Sequence, residues 1–476
     1  MFSSFKKIIF LILIVILYLG LFSKLSFAKQ DKLNVILIVA DALRADHLSC
    51  YGYSRNTSPN IDKLAREGTL FMNAFSHGPA TRVAMPSLFT SLYPGVHKVY
   101  RLGASLSNEF LTLPEILRAK GYTTIAFVGP QLEGISNFDQ GFQIYETIGK
   151  TKRDPPPFEH SFPITKIITK RALDWLENNH SQPFFLYIHY LDPHAVYLPP
   201  YPYNKIFWGK KITKKMRKFS ASFIAHKEYN PLDHGLIPQN DISDFIISQY
   251  DGEIRYVDEY IEILLREIER LGLSKNTLII LTSDHGEEFL DHGSFFHDRT
   301  LYNEIIHIPL IIRLAEIIPQ EKRISSLVRH IDIMPTVLDI LDLDIEGDTF
   351  MQGKSLMPMI KGKTIFKLDS FSEHLLREKH LRALTTDKLK FIEKRHLKTN
   401  SYSYELYDLN ADSEELNNLA EDKSREIYLL KARLDEYTMN CEKIRRSILK
   451  EDSLADRPAI LDEDAEERLK SLGYLH

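Results

Sequence analysis

Four short stretches concentrate the side chains able to carry out ester chemistry. In TSDHGEEF an apolar run ends in Asp284, His285 and Gly286. A hard carboxylate and an imidazole stand side by side, and the glycine permits the tight turn through which both approach one ion. The competing reading is a polar strand-to-loop turn. Asp41 ends the run KLNVILIVAD in the same manner and serves equally well as a helix N-cap. His189 and His194 in YIHYLDPHA, and His292 and His297 in LDHGSFFHDRTLY, add imidazoles that can hold a tetrahedral anion or protonate a leaving group. Taken singly, each also fits a structural role. Arg44 follows Asp41 closely enough to meet a substrate anion or to clamp onto Asp46. In SHGPATRVAMPSLFTSLYPGVH, Thr81 is either a nucleophile or a polar residue at the start of a helix, and the stretch alone leaves both readings open.

These residues fall where buried strands stop. The runs in KLNVILIVAD, YTTIAFVGP, PFFLYIHYLDPHA, NTLIILTSDHGEE and HIPLIIRL are apolar without alternation, which suits strands covered on both faces in a parallel or mostly parallel sheet. Segments of helical period lie between them: SPNIDKLAREGTLF, TLPEILRAKG, ITKRALDWLENN and YVDEYIEILLREIERLGL, with Ser58-Pro59 and Thr112-x-Pro114 as starts. The alternation predicts an α/β fold, a mostly parallel sheet sandwiched by helices. Ligands in such sheets bind beyond the carboxyl ends of the strands, where Asp41, His194, Asp284 and His285 are expected. From residue 370 onward, LRALTTDKLKFIEK and YSYELYDLN read as antiparallel strands ahead of charged helical sequence, so a smaller C-terminal α+β subdomain is expected over 370–476 after a catalytic domain over 29–369.

The sequence of 476 residues has two cysteines and a formal charge of −4, which gives no bulk attraction to nucleic acid; an anionic ligand must be held by local charge. Lys6 and Lys7, an apolar run over 8–22 and the small-x-small pattern of Ser26 and Ala28 read as an export signal, or as a retained anchor to the outer face of the membrane, over 1–28. A periplasmic or extracellular protein is therefore expected. The basic and aromatic segment within 198–244 reads as an amphipathic, solvated helix or as a lid for an anionic substrate or lipid headgroup. Nothing in the sequence pairs Cys50 with Cys441.

Taken in order, the stretch from NVILIVADALRADHLSCYGYSRNTSPNIDKLAREGTLF to TSLYPGVH, then FFLYIHYLDPHAVYLPP, then TLIILTSDHGEEFLDHGSFFHDRTLYNEIIHIPLII, resembles the sulfatase family of the alkaline-phosphatase superfamily. HIDIMPTVLDIL, QGKSLMPMIKG, ELYDLNADSEELNNLA and LKSLGYLH extend the resemblance. It implies an alkaline-phosphatase-like fold, a metal at the carboxyl edge of the sheet and a nucleophile at a helix start. Counting back nine residues from Thr90 in the family's Thr-Gly place puts that nucleophile at Thr81.

The departures from the family pattern bear on the chemistry. Thr81 cannot become the formylglycine that sulfatases make from Cys or Ser in Cys/Ser-x-Pro-x-Arg, and Val83 and Met85 stand at the motif's Pro and Arg. Ala42 replaces the second residue of the Asp-Asp pair with which the family holds calcium or magnesium, and no Lys-Trp-His segment accompanies FVGPQLEGISNF. The remaining set, Asp41, Thr81, Asp284 and His285, is similar to the single-metal site of the phosphoethanolamine transferases of the same superfamily, which use a threonine nucleophile. One imidazole among oxygen donors favours zinc or manganese over calcium or magnesium. The resemblance implies a hydrolase of sulfuric or phosphoric esters acting on an anionic glycan or lipid headgroup. His194 and His297 assist catalysis, and Arg44 and His292 contact substrate. The alternatives are a membrane-anchored transferase of phosphoethanolamine or phosphoglycerol type and an inactive protein that binds anionic glycans.

Overall fold

The computed structural model describes residues 32–149, 164–213, 216, 239–344, 350–364 and 366–450. The apolar run over 8–22, most of the basic segment and LKSLGYLH lie outside these residues. Among the described residues no helix is long and apolar enough to cross a membrane.

Eight strands form the central sheet: β1 (Asn34–Ala40), β2 (Thr69–Phe75), β3 (Thr123–Val128), β4 (Ile144–Thr147), β5 (Phe184–Tyr190), β6 (Thr277–Thr282), β7 (His307–Arg313) and β8 (Lys322–Arg329). Their order is β8-β2-β7-β6-β1-β5-β3-β4. All five apolar runs are strands, and every residue of β1, β5 and β6 is buried, as expected of strands covered on both faces. The pairings are parallel except at β7, which runs antiparallel to both β2 and β6. The sequence gives no warning of that reversal, because a doubly covered antiparallel strand carries the same unbroken apolar run. SPNIDKLAREGTLF holds two elements rather than one: helix α1 (Pro59–Arg66), then β2. Gly68 divides them where a Cβ would stand 2.4 Å from the carbonyl oxygen of Ile312.

One face of the sheet is covered by α1, α3 (Ile164–Asn179) and α4 (Gln239–Arg270), through Leu64, Ile168, Leu176, Ile254 and Ile261 against Ile36, Ile38, Leu186 and Ile188. The other face receives α2 (Thr81–Thr90), whose Phe89 meets Tyr187 edge to face at 4.9 Å. The chain then builds the expected second sheet, four antiparallel strands β9 (Ser370–Leu375), β10 (Lys379–Thr385), β11 (Leu389–His396) and β12 (Ser401–Asp408). One side of it packs Leu381, Ala383 and Ile392 on Leu301, Ile305 and Ile306; Leu384, Phe391 and Leu406 pack with Leu430 and Leu434 of α5 (Ser424–Ile448). Cys50 and Cys441 are buried free thiols.

Candidate active site

Sheet register assembles the site. β1 lies between β6 and β5, and Val39 is level with Thr282 on one side and His189 on the other. Side chains alternate along a strand, so Asp41 and Asp284, each two residues further on, share the face of His189. That face is the one α2 covers. The two strand ends are laced together: Asp284 Oδ1 accepts from Ala42 N at 3.1 Å and from His285 N at 2.9 Å, and Ser283 Oγ accepts from Leu43 N at 3.0 Å. Ala42 turns the chain at φ 57°. Asp41 caps no helix, since helical backbone first appears at Ala45. Gly286 is required by close approach: a Cβ there would sit 2.0 Å from the carbonyl oxygen of Glu304, and its N–H donates to Ile305 O at 2.7 Å.

Asp41, His189, Asp284 and His285 are fully buried. Among the described residues, one ligand atom from each of Asp41, His189 and Asp284 lies within 4.8 Å of the others. His285 Nε2 stands 3.5 Å from Asp41 Oδ1 and 3.4 Å from Asp284 Oδ2. Its Nδ1 donates to Gly286 O at 2.8 Å, which directs Nε2 at the carboxylates. Thr81 is the first residue of α2, and its hydroxyl oxygen lies 3.4 Å from His285 Nε2. Burial pushes the Asp284 carboxyl up, but His285, His189 and the Thr81 hydroxyl outweigh it and hold it at about 2, so it is ionised at neutral pH. Burial holds His189 at about 4 against the pull of Asp284, so this imidazole is neutral.

A layer of imidazoles continues outward. The His297 ring lies 4.3 Å from that of His285 and 4.9 Å from that of His194. His297 Nδ1 is held by Glu287 Oε1 at 2.9 Å, and Tyr197 donates to the other carboxylate oxygen at 2.7 Å. His194 Nδ1 donates to Ala195 O at 2.7 Å. Beside Thr81, the Arg82 guanidinium bonds Tyr100 O and the carboxylate of Asp298.

Arg44 and His292 are placed elsewhere. Arg44 Nε and Nη2 bond Asp46, Nη1 and Nη2 bond Asp291, and Nη1 also reaches Glu287 O, so the guanidinium is consumed by a clamp rather than presented to a substrate. His292 is likewise occupied: Nδ1 meets Glu304 at 2.7 Å, Nε2 meets Glu415 O at 3.0 Å, and the ring stacks on Tyr302. Two further histidines belong beside the cluster. His189 joins the carboxylates directly, a position readable only from the register of β5 against β1. His330, just past β8, is buried and among the described residues has no hydrogen-bond partner at either ring nitrogen; burial, against the charge of Asp284, holds its pKa low, at about 3. Its sequence context, HIDIMPTVLDIL, carries no chemical signal for that placement.

The family model described as sulfatase matches residues 33–343, the span that supplies every residue of this cluster. The chain belongs to the sulfatase family. It is an ester hydrolase of the alkaline-phosphatase superfamily. A second model, N-sulphoglucosamine sulphohydrolase, C-terminal, matches residues 291–440 of this sulfatase-family chain. The chain is 25% identical to the N-acetylglucosamine-6-O-sulfatase of Bacteroides thetaiotaomicron over 81% of its own length and 82% of that protein. Its fold is similar to the phosphonate monoester hydrolase of Agrobacterium radiobacter, with a TM-score of 0.70 at 22% identity over 88% of this chain and 96% of the other. A solved structure in complex with its substrate D-glucosamine-2-N,6-O-disulfate also gives a TM-score of 0.70, at 22% identity over 87% and 99% of the two chains.

Proposed function

We propose that this sulfatase-family chain is a metal-dependent hydrolase of sulfuric or phosphoric esters in which Thr81 is the nucleophile, a choice that favours phosphoesters. The observation that carries this reading is the Thr81 hydroxyl, buried at the first turn of α2 and 3.4 Å from a histidine nitrogen that also faces two buried carboxylates. Two aspartates and an imidazole converging on one point are a donor set suited to a divalent ion. Asp41, Asp284, His285 and Thr81 are the residues to hold it. When bound, such an ion lowers the pKa of a hydroxyl beside it and neutralises charge on the substrate anion.

The other steps belong to side chains. The Thr81 hydroxyl loses its proton to solvent, Oγ attacks phosphorus, the bond to the ester oxygen breaks, and a phosphothreonine forms while the alcohol leaves. The N-terminal end of the α2 dipole favours the anion at that place. His297, oriented by Glu287, and His194 protonate the departing alkoxide and steady the equatorial oxygens. Water then opens the phosphothreonine. The basic and apolar beginning of the sequence supports an exported enzyme, and its sulfatase relatives support an anionic glycan or lipid headgroup as the substrate class.

The test is initial rates on aryl phosphate, bis-aryl phosphate and aryl sulfate, with metal content measured in parallel, for wild type and Thr81→Ala. Phosphoester turnover that needs both the metal and Thr81 is the expected result. Sulfate turnover that survives Thr81→Ala overturns the threonine mechanism.

A further inference from the structure

We propose that His189 is a ligand of the metal held by Asp41, Asp284 and His285, and that this second imidazole selects a zinc-type ion over calcium and magnesium. The inference rests on the metal dependence proposed above and adds a donor that the strand-end residues do not supply.

Three adjacent strands deliver the donors: Asp284 past β6, Asp41 past β1 and His189 within β5. The His189 ring is fully buried, and its Nδ1 is tied to the Tyr187 hydroxyl at 2.6 Å. Among the described residues its Nε2 has no hydrogen-bond partner. A buried nitrogen left without a partner is costly, and a cation facing its lone pair would meet that cost. Nε2 is 3.9 Å from Asp41 Oδ2 and 4.0 Å from Asp284 Oδ2. Those separations are too long for hydrogen bonds. They are the separations of donors sharing an ion: two ligand atoms each about 2.1 Å from one metal stand roughly 3–4 Å apart. The His285 distances of 3.5 and 3.4 Å to the same carboxylates fall in that range.

Metal ligation through Nε2 takes the tautomer in which Nδ1 donates to the phenol oxygen, and the Tyr187 contact holds the ring plane in place. Two imidazoles and two carboxylates make a nitrogen-rich set. Calcium seeks six to eight oxygens and magnesium an octahedron of oxygens, whereas zinc takes imidazole and carboxylate donors of this kind and can expand to a fifth ligand, the place for the Thr81 oxygen.

The full chain, stripped with a chelator, is titrated separately with Zn²⁺ and Ca²⁺ against a competing chromophoric chelator, for wild type and His189→Gln, which keeps the side-chain length. Wild type is expected to bind one Zn²⁺ per chain and Ca²⁺ far more weakly; His189→Gln is expected to weaken Zn²⁺ on the order of 100-fold and Ca²⁺ by less than about threefold. X-ray absorption of zinc-loaded wild type needs no variant to fold and is expected to show two imidazole ligands. Equal Zn²⁺ affinity in a folded His189→Gln protein, a single imidazole, or a preference for Ca²⁺ overturns this inference alone. A wild-type chain that binds neither ion overturns the metal-dependent function together with it.

Discussion

Asp284 and Asp332 are both fully buried aspartates just beyond a strand of the same sheet, and they differ in what faces them. Asp332 has its counter-ion in the chain: Arg329 donates to it through Nε at 3.1 Å, Nη2 at 2.7 Å and the backbone N at 2.8 Å, and Lys354 N adds a fourth bond at 2.8 Å. Asp284 faces two imidazoles, the Thr81 hydroxyl and two backbone N–H groups. A buried carboxylate with a fixed guanidinium has its counter-ion within the fold; one that meets imidazoles and a hydroxyl suits the proposed metal. The contrast sets a residue that holds the fold against one of the proposed site. Arg44 falls on the structural side of that line, although it is only three residues from Asp41.

The largest effect that sharpens the contrast is at Thr81. Thr81→Ala is expected to lower phosphoester turnover on the order of 10³-fold or more while leaving the circular dichroism spectrum unchanged and most of the metal bound by the remaining ligands. Retained activity with bound metal breaks the assignment. Next comes Arg329→Met, which strands Asp332 in the interior and is expected to cost about 3–5 kcal/mol in urea unfolding without removing any donor from the Asp284 cluster. A loss of metal binding in a folded Arg329→Met protein would show that the two regions are not separable.

Removing the metal tests the other arm. Zinc at 100 times its dissociation constant is expected to stabilise the wild type by about 2.7 kcal/mol, and chelation to reverse this. Asp284→Asn is expected to abolish the zinc-dependent increment, whereas Arg329→Met keeps it; melting curves with and without chelator measure both.

The smallest effect concerns His292, which pairs with Glu304 through the same chemical groups as the site but is committed to the fold. Burial lowers its pKa, yet the hydrogen bond and charge of Glu304 outweigh this and raise it to about 9. A pKa raised on folding stabilises fully below the unfolded value near 6.5, and that contribution is lost as pH climbs through 9. After allowance for solvent screening this amounts to about 1–2 kcal/mol. Unfolding free energies at pH 6 and pH 9.5 are expected to differ by that much more in wild type than in His292→Gln; identical pH profiles would remove the assignment.

Much of the framework was legible in the residues. Unbroken apolar runs predicted β1, β3, β5, β6 and β7, and Thr112, read as a helix start, caps that helix in the structure through a capping box with Glu115. The placement of Asp41, Asp284 and His285 at strand ends followed from the same pattern. The direction of β7 and the existence of β2 and β8 did not, because strand direction and edge pairing leave little trace in local composition. His292 and His297 show the limit most plainly. Five residues apart in one loop and alike as a sequence, one ring is locked between Glu304 and Glu415, and the other lies over His285.

By itself, then, the sequence determined an α/β sheet whose strands stop at carboxylates, and a threonine, Thr81, at the position where the family carries the Cys or Ser from which formylglycine is made. These are local properties: hydrophobic runs, turn residues and side-chain chemistry are carried by neighbours in the chain. Tertiary structure alone decided that His189 joins Asp41 and Asp284, that Arg44 is spent on Asp46 and Asp291, and that His292 is held between Glu304 and Glu415. Each of those outcomes depends on the register of one strand against another, on the face a side chain takes, or on a partner more than a hundred residues away. Contacts of that kind are set by packing, which no local stretch of sequence encodes.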